Sequence, residues 1–115
     1  MKIKIPVDIY SIPVIFTTDF DTFKKLHKEA DIEHPFITVD YNAAIYVYVS
    51  GEWGNFYDYR FIQCVSHEMT HAAMIILDKV GVHFDGHNQE PLCYLQDYLV
   101  SRVFKAIEKT KEHQK

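Results

Sequence analysis

The stretch Asp58-Tyr59-Arg60-Phe61-Ile62-Gln63-Cys64-Val65-Ser66-His67-Glu68-Met69-Thr70-His71-Ala72-Ala73-Met74-Ile75-Ile76-Leu77-Asp78-Lys79-Val80 decides the fold. Phe61, Val65, Met69, Ala72, Ala73, Ile76 and Val80 recur at spacings of three and four, the period of a helix facing a core. Gly81, Asp85 and Gly86 end it. Asn88 is the expected cap of a last helix from about Glu90 to Glu112, with Pro91 tolerated in its first turn and Leu92, Leu95, Leu99 and Val103 as its apolar stripe.

Upstream of this helical half the pattern changes. Val7 to Thr17 is rich in β-branched and aromatic residues, with Pro6 and Pro13 in or beside it, which predicts an edge or bent strand. Asp19 or Asp21 is expected to cap a short helix to about Ala30, carrying Phe20, Phe23 and Leu26 at helical spacing. Two β-type runs follow, Phe36–Tyr41 and Ala44–Ser50, joined by a turn near Asn42, and Gly51 to Asn55 reads as a loop. In the second run Ile45, Val47 and Val49 alternate with Tyr46 and Tyr48, so one face meets the core and the tyrosine face stays partly open. The order of strand, helix, two strands and two helices predicts an α+β layer arrangement.

The chain has 115 residues, 48% hydrophobic and 24% charged, enough for one domain with one core. The formal charge is -4, and no block of Lys and Arg interleaves with aromatics, which argues against a nucleic-acid partner. The tail from Lys105 mixes lysines with Glu108 and Glu112 and reads as a solvated helix end. No apolar run reaches the roughly 18–20 residues of a membrane span, and no signal peptide is recognisable. Two cysteines, Cys64 and Cys93, make no disulfide framework, so a reducing, cytoplasmic setting is expected.

Within the long helix, His67 and His71 lie four apart, which puts two imidazoles on one face about 6 Å apart along the axis, within reach of one ion. Glu68 follows the first histidine and points beside that ion, where a carboxylate can act on a water molecule, as in HExxH zinc sites. The plain alternative is three polar residues on a solvated helix face. The apolar flanks, Phe61 to Val65 and Ala72 to Leu77, argue for a helix buried all round, in which His and Glu need partners. A catalytic zinc keeps an open position beside three protein ligands. Glu90 is the candidate third ligand, separated from His71 by eighteen residues and at the start of a helix returning antiparallel; Asp85 and His87 on the intervening turn are the alternatives.

Ser66-His67-Glu68-Met69-Thr70-His71-Ala72-Ala73, with its eighteen-residue gap to Glu90, resembles the HExxH-x18-E motif of the gluzincin metallopeptidases. The resemblance covers about residues 66–91. It implies zinc ligation by His67, His71 and Glu90, general-base action by Glu68, a peptide or protein substrate, and a zincin core. That core is a small, mostly antiparallel sheet packed on the active-site helix and a C-terminal helix. The chain is similar to stripped-down zincins carried by phages and prophages, which implies action in a host cytoplasm. The expected lack of a second lobe makes a homodimer one source of the other cleft wall.

Around this centre, Asp97 and Tyr94 share a helix face with Glu90 and are candidates to support the ligands, against a solvated Asp and a core Tyr. His83, His87, Tyr57 and Tyr59 are candidate donors to a developing oxyanion, against ordinary loop or aromatic roles. Cys64 and Cys93 read as small core residues rather than as soft ligands. An extended substrate would pair with Ala44–Ser50 if that strand is the sheet edge. The competing function is a metal-stabilised zincin scaffold that acts by binding a protein, for instance a phage factor directed at its host.

Overall fold

The computed structural model describes residues 1–26, 36–51 and 56–113. Its elements are β1 (Lys2–Ile5), β2 (Val14–Thr17), α1 (Phe20–Leu26), β3 (Phe36–Tyr41), β4 (Ala44–Val49), α2 (Tyr59–Lys79) and α3 (Glu90–His113). The four strands form one mixed sheet in the order β1-β2-β4-β3. β1–β2 and β3–β4 are antiparallel, and β2–β4 is parallel. The chain is thus a small α+β fold, with a sheet antiparallel in two of its three pairings.

Pairing register assigns the faces. Ile5 is opposite Val14, Val14 opposite Ile45 and Phe16 opposite Val47, so all five lie on one face and are buried. Against that face pack Phe61, Val65, Met69, Ala72 and Ile76 of α2 and Leu95, Leu99, Val103 and Ile107 of α3. The reverse face carries Tyr46 and Tyr48. Tyr48 is buried by α1, whose Phe20 and Phe23 rings stand 5.8 and 5.6 Å from it, whereas Tyr46 stays half-buried. The tyrosine face is therefore open only in part of its length.

Several boundaries differ from the sequence reading. The Val7–Thr17 run is not one strand. Residues 8–11 make a turn, closed by the Tyr10 and Ser11 N–H groups donating to the Val7 carbonyl, and β2 starts only at Val14. Pro6 and Pro13, which lack the donor a ladder needs, bracket that turn. Asp19 caps α1, accepting from the Asp21 N–H and the Thr22 hydroxyl. The expected extension to Ala30 and most of the Gly51–Asn55 loop lie outside the described residues. Asn88 does not cap α3: its amide donates to the His83 carbonyl, and Gln89 accepts the first helical bond, from the Cys93 N–H.

α2 starts at Asp58, whose carboxylate accepts from the Arg60 N–H. The Arg60 guanidinium bonds the same group and holds its pKa down at about 2. The helix ends where Gly81, at φ 75°, reverses the chain and the Val82 N–H donates to the Leu77 carbonyl, a glycine-terminated C-cap.

The β3–β4 hairpin turns on Asn42 and Ala43, both at positive φ (56° and 65°). Two positive φ values define the turn that matches strand twist, and Asn tolerates that region where Ala is strained. Ala43→Gly is expected to stabilise the protein by about 1 kcal/mol. The check is a higher urea midpoint at unchanged slope; a lower midpoint would contradict the assigned turn.

Candidate metal centre

α2 presents three sides. Its buried stripe meets the sheet, Ser66 meets α3 by accepting a hydrogen bond from Gln96 (3.2 Å), and the side bearing Glu68 faces β3. The helix is not apolar all round: Ile62, Gln63, His67 and His71 are exposed, so the sequence argument from complete burial fails for the histidines. It holds for Glu68, which is 4% exposed.

His67, Glu68 and His71 come together, each offering one ligand atom within 4.8 Å of the others. The two histidine Nε2 atoms are 3.2 Å apart. Two nitrogens bound tetrahedrally at roughly 2.0–2.1 Å stand about 3.3 Å from each other, so the pair has the spacing of two ligands on one ion. The same distance suits an N–H···N bond between neutral rings. For exposed rings, water competes for that bond.

Glu68 is anchored. The Thr38 hydroxyl on β3 donates to Glu68 Oε1 at 2.8 Å and stands 3.2 Å from its backbone carbonyl oxygen, while Oε2 stands 3.6 Å from His67 Nε2. Along the same helix–strand seam Lys79 pairs with Asp40 at 2.9 Å. His67, Glu68, His71, Ile75, Ile37 and Thr38 line an open cleft of about 320 Å³. Thr38 was missed in the sequence. Its position in a β-run was legible, but its opposition to Val47 on the helix-facing side comes only from pairing register.

Glu90 is not part of this group. It is exposed and lines a separate cavity with Pro6, Tyr94 and Tyr98, which shares no residue with the histidine cleft. Tyr94 faces that second cavity too, and Asp97 is an exposed helix residue outside the metal-capable cluster. Asp85 is engaged in the turn. It pairs with His83 at 2.8 Å and accepts from the His87 and Asn88 N–H groups, and first the His83 bond, then those N–H groups, hold its carboxyl below its ordinary value.

None of the four oxyanion candidates lines the histidine cleft. The Tyr57 hydroxyl donates to Glu108 near the end of α3, and that acceptor raises its pKa. Tyr59 is 75% exposed at the start of α2, with Arg60 stacked over its ring. His83 is tied to Asp85, and His87 is exposed on the turn.

Cys64 is half-buried against the core, where burial and then Glu68 push its thiol up, and it lies outside the metal-capable cluster. Cys93 is exposed, so the core reading holds for Cys64 alone. The strand Ala44–Val49 is interior, between β2 and β3; the edge strand beside the cleft is β3.

Comparison with protein-family models, curated proteins and solved structures finds no match to the chain. Among the described residues, no helix is long and apolar enough to cross a membrane.

Proposed function

We propose that the chain is a zinc-dependent hydrolase of zincin type, most simply a peptidase. The observation that carries this reading is the pair of imidazole nitrogens 3.2 Å apart beside a buried carboxylate that a threonine already orients. A surface cluster without chemistry has no need of a carboxylate taken out of water and aimed, because that burial costs free energy. Two imidazole nitrogens with one carboxylate oxygen from a further residue are a donor set that zinc accepts.

His67 and His71 are the proposed α2 ligands, and Glu90 the third. The Ser66–Gln96 bond between antiparallel helices supports Glu90 by level: six residues before Gln96 stand opposite six residues after Ser66, next to His71. In the structure Glu90 lines the Tyr94 cavity and lies outside the His67–Glu68–His71 cluster, so ligation by it requires the start of α3 to move.

A zinc ion there would supply a Lewis acid that acidifies water and polarises the scissile carbonyl. Glu68 takes the proton of the attacking water at Oε2 and returns it to the leaving amine, while Thr38 holds Oε1. The edge strand β3, paired among the described strands with β4 alone, offers backbone groups to an extended peptide substrate. A cytoplasmic setting, phage origin and a dimer that completes the cleft belong to the same proposal.

Metal analysis of the purified protein, followed by zinc titration, tests the centre; no zinc uptake would overturn it. Thr38→Val should keep zinc and fold but lower turnover about tenfold or more, as expected for a lost bond to a charged group, with Thr38→Ser restoring it. Unchanged turnover in Thr38→Val would remove Thr38 from the mechanism.

A further inference from the structure

A cavity of about 720 Å³ lies away from the histidine cleft, between the 8–11 turn and the first two turns of α3. Its volume falls within the roughly 300–1,000 Å³ of small-ligand sites. Three tyrosines, Tyr10, Tyr94 and Tyr98, contribute to its wall, with Pro6 and Pro91 between them. The ionisable groups besides tyrosine are both acids, Asp8 and Glu90, and no Lys, Arg or His lines it.

This wall has an open, held geometry. Tyr94 is 69% exposed, and Ile9, at the tip of the turn, is 83% exposed. A large aliphatic residue and an aromatic ring left to water beside one cavity are what a binding surface presents. The Tyr98 hydroxyl donates to the Pro6 carbonyl and ties the turn to α3. Ser11 holds that turn at φ 57°, a strained conformation for a residue with a side chain. Tyr98 already attracts a cation, since the Arg102 guanidinium stands 5.9 Å from its ring centroid.

We infer that this cavity binds a cationic head on an apolar stem, most naturally a lysine or arginine side chain presented by another polypeptide. Aromatic faces attract cations through their quadrupole, the aliphatic stem gains apolar contact with Pro6, Pro91 and Leu95, and a carboxylate at the rim completes the charge match. Asp8 is the acid the inference needs. It therefore stands whether or not Glu90 leaves the cavity to hold zinc, and it does not rest on the hydrolase reading.

The test is an NMR titration of the whole protein with an acetylated, amidated Gly-Lys-Gly peptide, against its norleucine counterpart and against butylammonium. The tyrosine ring signals of Tyr10, Tyr94 and Tyr98 should move with the lysine peptide, and the norleucine peptide should bind at least about threefold more weakly. Tyr94→Leu and Asp8→Asn, both at exposed positions, should each weaken the lysine peptide about threefold while leaving the spectrum of the fold intact. Butylammonium binding as well as the peptide would support the same site with a free amine as ligand. Equal binding of the lysine and norleucine peptides, no shift in any of the three rings, or unchanged affinity in both variants would overturn the inference.

Discussion

Glu68→Gln is expected to lower peptide hydrolysis by about 10²–10⁴-fold while zinc content and fold are retained, the range typical of one proton-transfer group. Gln keeps the shape of the side chain and still accepts the Thr38 hydroxyl bond that orients Oε1. It lacks only the basicity at the second oxygen. Because Glu68 is buried on the β3 side of α2 and is not needed to bring the two histidines together, its loss should leave their spacing intact. The measurements are turnover of a peptide library, zinc per chain, and the thermal midpoint. A variant that keeps zinc, fold and full biological effect would show that hydrolysis is not the role. A protein-binding scaffold would then lead, with the tyrosine cavity as its first candidate surface.

The second large effect concerns the ligands. His71→Ala should reduce bound zinc to near zero. Structural zinc sites contribute on the order of 10–16 kcal/mol over four ligands, so each ligand accounts for about a hundredfold or more in affinity. Glu90→Ala should fall in that class, and Asp85→Ala should not. Asp85 is already held by His83 and two backbone N–H groups, so its removal loosens the turn and leaves the histidines alone. Competition titration against a chelator of known affinity ranks the three variants. A Glu90→Ala protein with unaltered affinity would remove Glu90 from the site and leave it to the acidic tyrosine cavity it lines. A large loss in Asp85→Ala would move the site onto the turn.

Much of this was legible in residue order because local physics writes it there. The periods of three and four in α2 and α3, the alternation of β4, and the helix-ending glycine at 81 depend only on neighbours along the chain, and the elements formed within one or two residues of their expected bounds. The four-residue spacing of His67 and His71 is likewise a property of one helix, and it alone brought the two rings together. Where the reading failed, the deciding partner was remote in sequence. The expected strand at Val7–Thr17 had the right composition, but two prolines removed ladder donors and let the chain turn before β2. Thr38 became the partner of Glu68 because the β3–β4 register turns it towards α2, and a shift of one residue would have turned it away. The parallel β2–β4 pairing placed β4 inside the sheet and left β3 as the edge beside the histidines. Glu90 was chosen by counting residues, and counting fixes its level along α2 but not its azimuth around α3. Tertiary packing set that azimuth and put Glu90 in the wall of the cavity it shares with the Pro6–Tyr10 segment. The sequence by itself therefore determined the helices, the hairpin and the paired imidazoles, whose causes lie within a few residues. Sheet order, burial of Glu68 and the cavity that receives Glu90 were decided only when distant segments packed, because each depends on which face of one element meets another.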